Sequence, residues 1–226
     1  MKTDPFASEV RLGYDFVAAH RAAAIRYGAI LGIVLILGAA FYFYRQHESE
    51  IRQALLTKAL IVNQGTVGGQ PSPLAPNFAT QAEKDKAVQK AFGDLAVKYP
   101  GTQEGTVAEY ILASQAADKG DMAKAAKRMK DVVDNGDGPY VSLAKISLAK
   151  IYASLGKSGD AETLVRSVVE KPTVLVSKDA ATLELAEIVA PKNPKEAKAL
   201  LSPLRGSDRA AISKAAMDAY SQLKLN

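Results

Sequence analysis

AEYILA at residues 108–113 and AKISLA at residues 144–149 are one pattern written twice. Leu112-Ala113 and Leu148-Ala149 stand 36 residues apart, and Leu185-Ala186 follows after a further 37. The segment after each pair repeats as well: Ala125, Ala161 and Ala197, then Met129, Val165 and Leu201, then Val132, Val168 and Leu204. Pro100, Gly136 and Pro172 punctuate the chain with the same 36-residue period. Apolar spacings of three and four residues are helical, and Gly and Pro end such runs. Each unit therefore reads as a helix A, a Gly- or Asn-containing turn, and a helix B. Alanines where the two helices meet allow a tight antiparallel pair. One pair cannot bury its apolar faces alone, so stacked pairs must share a core.

Working outward, Ala91, Phe92, Leu95 and Tyr99 before Pro100 predict the B helix of an earlier repeat. Its partner is expected at 48–64, where Ile51, Leu55, Ala59 and Val62 recur at helical spacing. At the other end, residues 208–225 carry Ile212, Ala216, Ala219, Tyr220 and Leu223 and predict a terminal capping helix. Gly65–Thr80 holds Gly68, Gly69, Pro71, Pro73 and Pro76, the composition of a flexible insert.

Upstream lies a different pattern. YGAILGIVLILGAAFYFY, residues 27–44, has no charge over 18 residues between Arg26 and Arg45. As a helix it spans roughly 27 Å, near the thickness of a hydrocarbon core. Arginines at both limits can snorkel, and Tyr27 and Phe41 to Tyr44 sit where aromatic belts form. The preceding residues carry Asp4, Glu9 and Asp15, and no A-x-A site follows, so an uncleaved signal anchor is expected rather than a cleaved peptide. Lys2, Arg11, Arg21 and Arg26 before the span, against Arg45, Arg52 and Lys58 after it, lean toward a cytoplasmic N-terminus. The expected organisation is a tail at 1–26, a transmembrane anchor at 27–44 and an all-α repeat domain at 45–226. In the tail, Asp4-Pro5 is a helix start, with Phe6, Val10, Tyr14 and Val17 as a candidate stripe. Ala24, Gly28 and Gly32 are spaced for close packing against another membrane helix, though Gly and Ala are also simply common in such helices.

Composition excludes several functions. The 226 residues contain no Cys and only two His, His20 and His47, which flank the apolar run. Disulfides, zinc–thiolate sites, cysteine nucleophiles and multi-histidine metal sites are out. Two histidines on opposite sides of a membrane serve no shared triad. No phosphate-binding glycine loop or metalloprotease motif occurs. Acidic pairs such as Asp118 and Asp121 fall at helix turns, where capping explains them. Residues 45–226 carry 25 basic and 21 acidic side chains, interleaved, which does not suit nucleic acid. No cofactor, metal or catalytic residue is expected.

Helix pairs repeating at this period resemble tetratricopeptide repeats in a degenerate form. The usual Trp is missing, Ala replaces the signature Gly, and the helix A aromatic survives only as Tyr152, with Ala116 and Val189 in the other units. In that register Val107, Tyr110 and Ser114, then Leu143, Ile146 and Lys150, then Ala180, Leu183 and Glu187 line a concave face suited to a peptide or partner helix. A competing reading assigns many of them to the core between repeats.

The anchor, the helix continuing from it and the Ala-x-x-x-Leu-Ala phrases together resemble the YfgM family of bacterial inner-membrane proteins. The Gly/Pro-rich insert departs from that family's compact pattern. The resemblance implies a single-pass protein with a cytoplasmic N-terminus and a periplasmic repeat domain. It implies protein partners, the SecYEG translocon and a PpiD-like periplasmic chaperone, and no enzymatic activity. Two other functions fit the same residues: a structural scaffold for another envelope assembly, and a regulator whose repeats face the cytoplasm.

Overall fold

The computed structural model describes residues 21–69 and 74–223. The tail helix expected from Asp4-Pro5 and the side chain of Ala24 lie outside the described residues. Nine helices occur among the described residues. They are α1 (Arg21–Asn63), α2 (Gln81–Lys98), α3 (Gln103–Asp118), α4 (Met122–Asn135), α5 (Tyr140–Ser154), α6 (Ser158–Glu170), α7 (Lys178–Val189), α8 (Pro194–Leu204) and α9 (Ala210–Gln222). The chain divides between Ile51 and Arg52 into two compact units, and α1 runs across the division.

In the first unit the helix is apolar on every side. An 18-residue window has a mean hydropathy of 2.0 and nothing in it is buried. One N-terminal helix is thus long and apolar enough to cross a membrane. At its polar end Arg45 lies over the Phe41 ring, 5.9 Å from its centre, and Tyr42 and Phe43 meet edge-on at 5.7 Å. Gly28 is exposed and Gly32 half-buried, both with open space where a Cβ would be.

The second unit is an all-α array of helix pairs. The A helices are α3, α5 and α7; the B helices are α4, α6 and α8. Every Leu-Ala and B-helix position that repeats along the chain is buried. Leu112, Leu148 and Leu185 are each 1% exposed, and Ala113, Ala149, Ala186, Ala125, Ala161 and Ala197 are all at 0%. Ala181, also at 0%, completes an Ala-x-x-x-Leu-Ala phrase in the third repeat. The earlier repeat has the same form: Val88, Phe92 and Leu95 of α2 share the spacing of Ala125, Met129 and Val132, and they pack with Leu55, Ala59 and Val62 of α1. The last helix, α9, sets Ala216, Ile212, Ala219 and Tyr220 against Leu185, Leu201 and Leu204.

Two local devices recur with the 36-residue period. The first is the A–B turn. Gly120 and Gly156 have φ of 79° and 76°, a left-handed conformation that costs a Cβ-bearing residue energy. Asp121 N–H then reaches Ala116 O at 2.9 Å, and Lys157 N–H reaches Tyr152 O at 2.8 Å, satisfying the last carbonyls of α3 and α5. Asp121 caps α4 by accepting from Lys124 N at 3.0 Å, as expected of an acid at this turn. The second is a buried polar clasp. Thr106 Oγ1 accepts from Asp137 N at 2.8 Å, and 36 residues on, Ser142 Oγ meets Thr173 Oγ1 at 2.7 Å. Ser142 also donates to Pro139 O at 2.7 Å, so its one proton is taken and Thr173 is the donor. Each clasp ties the start of an A helix to the loop after its own B helix.

The insert is more ordered than its composition suggests. Thr66–Val67 (β1) and Asn77–Phe78 (β2) pair in parallel, and Asn77 Nδ2 donates to Gly69 O at 2.6 Å. Backbone pairing and one Asn side chain hold described residues that Gly and Pro content alone reads as loose.

A candidate partner-binding face on the A helices

Helix A positions divide into those that repeats consume and those left open. Val107 is buried at 6% exposure and offers nothing to a partner. Leu143 and Ala180 pack beside Val168, Val176 and Ala181, Ile146 joins that cluster to the one around Ala149, and Leu183 packs against the latter. These four half-buried residues hold one repeat to the next. Tyr110, Ser114, Lys150 and Glu187 remain open to different degrees.

Tyr110 and Ser114 come together in a groove of about 600 Å³ between α2 and α3, lined also by Asn63. The Tyr110 ring meets Tyr140 edge-on, with centres 5.3 Å apart, which fixes an aromatic wall beside the groove. The floor includes Val88 and Ile111, and the rim is polar. Lys119 Nζ binds Asp85 at 2.5 Å across it, and Gln115 accepts from Gln89 at 3.2 Å and donates to Asn63 at 3.4 Å. The hydrogen bonds from Lys119 and Gln81 hold the Asp85 carboxyl below its ordinary range. An apolar floor with a rim of rotatable amides and a charge pair suits an extended or helical peptide.

Glu187 lies in a separate groove of about 570 Å³ formed by α7, α8 and α9. Lys150 is exposed and binds Glu184 at 2.7 Å, between the second and third A helices. Burial, and then the charge of Glu184, push the Glu187 carboxyl above its ordinary value. Sequence reasoning missed Lys84, Asp85 and Lys119 because it placed the face on helix A alone, and missed Gln115 because that helix A position falls outside the register it used. Lys119 adjoins Gly120 in the turn between helices A and B, and α2 was expected as a B helix, so both signals stood in the sequence.

A family model described as a tetratricopeptide repeat-like domain matches residues 19–179. The chain belongs to this family. The match begins ahead of the apolar helix, covers the pairs α3/α4 and α5/α6, and ends in the first turn of α7. The third pair and α9 extend the tetratricopeptide repeat-like array beyond the matched residues. Domains of this kind are protein-interaction modules, typically without enzymatic activity, so protein partners are implied in general. No curated protein and no solved structure matches the chain significantly. Among the described residues no group of three His, Asp or Glu side chains is arranged to hold a metal ion.

Proposed function

We propose that the chain is a non-enzymatic, single-pass membrane protein whose repeat domain faces the periplasm and assists exported proteins beside the Sec translocon. The reading is carried by one observation: an apolar helix of spanning length heads a tetratricopeptide repeat-like array. A tethered repeat array holds its binding face at high effective concentration near other membrane machinery, so weak contacts suffice. The open helix A positions, Tyr110 and Ser114 above all, are the surface it would use. The translocon and a PpiD-like chaperone enter by resemblance of architecture to the YfgM family. The anchor spans 27–44 in this reading, with the tail at 1–26 on the cytoplasmic side.

Two experiments test it. The absence of Cys allows single reporters, Ser8→Cys in the tail and Ser207→Cys in the repeat domain. A maleimide that crosses only the outer membrane should label Ser207→Cys alone; labelling of Ser8→Cys alone inverts the topology and favours a cytoplasm-facing regulator. A photo-crosslinking residue at Ser114 should then capture translocon or chaperone subunits and newly exported chains. Capture of one fixed-stoichiometry envelope partner and no exported chain assigns a structural scaffold instead. Ser114 is preferred to Ile146 because Ile146 joins two core clusters, so its replacement unfolds before it reports.

A further inference from the structure

The third repeat leaves the groove between α7, α8 and α9 unfilled, and its lining differs from that of the first groove. Ala190, Ala215 and Ala219 line it with partly exposed side chains above the buried Ala186, and Glu187 and Asp218 line it as well. Three partly exposed methyl side chains let another backbone come close, as small residues do where helices pack tightly. Both carboxylates are exposed. Among the described residues no ion pair links either one to a cation, and Lys150, whose charge reaches Glu187, is held by Glu184 at 2.7 Å. No basic residue lines the groove. The chain as a whole is basic, at +5, so a groove whose charged lining residues are both acidic runs against the overall balance.

We propose that this groove docks a basic amphipathic helix of a partner protein, its apolar stripe on the three partly exposed alanines and its Lys or Arg side chains beside Glu187 and Asp218. Helix-in-groove recognition needs an apolar floor for the stripe and complementary charge at the rim for register. A cation placed beside Glu187 also offsets the repulsion from Glu184 that the carboxylate meets when ionised. The inference deepens the reading of the repeats as an interaction module and does not depend on topology or on the identity of the translocon.

The test uses the purified full-length chain in nanodiscs of zwitterionic lipid, with empty nanodiscs as the blank. Two fluorescent helical peptides are titrated by anisotropy: one with Leu on one face and Lys on the other, one with Glu in place of Lys. The Lys peptide should bind and the Glu peptide should not. Glu187→Gln with Asp218→Asn should weaken binding about five- to tenfold, the combined effect of two exposed ion pairs. Ala215→Trp should block it by filling the groove. Because Glu187 and Asp218 are exposed, the double variant keeps its fold, which circular dichroism checks, and so reports even where Ala215→Trp does not fold. Equal binding of both peptides, or unchanged affinity in the double variant, overturns the proposal. Self-association of the chain that the double variant abolishes assigns the groove to a second copy and overturns it as well. Topology results and crosslinks at Ser114 have no bearing on this outcome.

Discussion

From Tyr27 to Tyr44 the helix presents Ile30, Leu35 and Phe43 outward with 53%, 65% and 66% of each exposed, whereas Leu112, Leu148 and Leu185 of the repeats are 1% exposed. Both regions are helical and both are rich in Ala, Leu, Ile and Val. Arrangement separates them. In the first, apolar side chains occupy every face, so no stripe exists for a neighbouring helix to cover, and the solvent that suits it is hydrocarbon. In the second, apolar residues recur three and four apart, which confines them to stripes that the next helix of the array buries. Alanine also changes meaning. Ala113, Ala125, Ala149 and Ala161 are fully buried contact points that set how closely helices approach.

The comparison breaks first at the core. Phe92 is 0% exposed and sits among Ala59, Leu95 and Leu112. Phe92→Ala should destabilise the repeat domain by about 3–5 kcal/mol, from lost transfer energy and the cavity left behind. Thermal unfolding followed by circular dichroism checks it. An unchanged Tm would mean that the earlier repeat lies outside the cooperative unit.

Leu35→Arg attacks the other side. A cation at the centre of a spanning helix costs about 3 kcal/mol of insertion, so membrane integration should fall while the melting of the repeats stays unchanged. Carbonate extraction and melting on the same preparation separate the two. Coupled losses would mean that the two regions are not independent.

Ala161→Leu sharpens the contrast in what alanine does. Ala161 of α6 is fully buried in the cluster that joins the second and third repeats. Extra methylenes there force strained rotamers and should cost about 1–3 kcal/mol. The same change at Ala39, in the apolar run, should be neutral or favour insertion.

Much of this fold is legible in sequence because burial and punctuation share one period. The Leu-Ala pairs, the B-helix triplets and the breaks at Pro100, Gly136 and Pro172 each mark the same unit. What escaped is polar and pairwise. Thr106 and Ser142 are hydroxyls 36 residues apart whose partners, Asp137 and Thr173, are unlike each other, so no similarity search along the chain joins them. The parallel pairing of β1 with β2 is two residues long, too short for periodicity to register. The site was legible only by half. Register alone identified helix A positions, but grooves form between elements, and Lys119, Asp85 and Asp218 come from a turn, a B helix and the last helix. Thr106→Val tests whether the hidden clasp matters: it keeps the shape, strands the Asp137 N–H, and should cost about 1–2 kcal/mol by chemical denaturation.

The smallest effects compare the two ends of the repeat array through two carboxylates shifted in opposite directions. Asp85 is held low by hydrogen bonds from Lys119 and Gln81, so its ionised form is favoured in the native state. That contribution is present above pH 3.8, the unshifted value, and is lost as pH falls below it. Glu187 is raised by burial and by Glu184, so between 4.5 and its higher native value the folded chain binds more protons than the unfolded one. Stability from Glu187 therefore falls as pH rises through that window. Asp85→Asn should lower the Tm at neutral pH and flatten the acid limb. Glu187→Gln should do the reverse, gaining on the parent chain as pH climbs from 4 to 7. Both sites are open to solvent, so the shifts are small and are read as differences between matched melting curves across pH. Opposite slopes would establish that the native state favours the ionised carboxylate at Asp85 and disfavours it at Glu187, where burial and Glu184 act together. Parallel slopes would remove that electrostatic distinction between the two ends of the array.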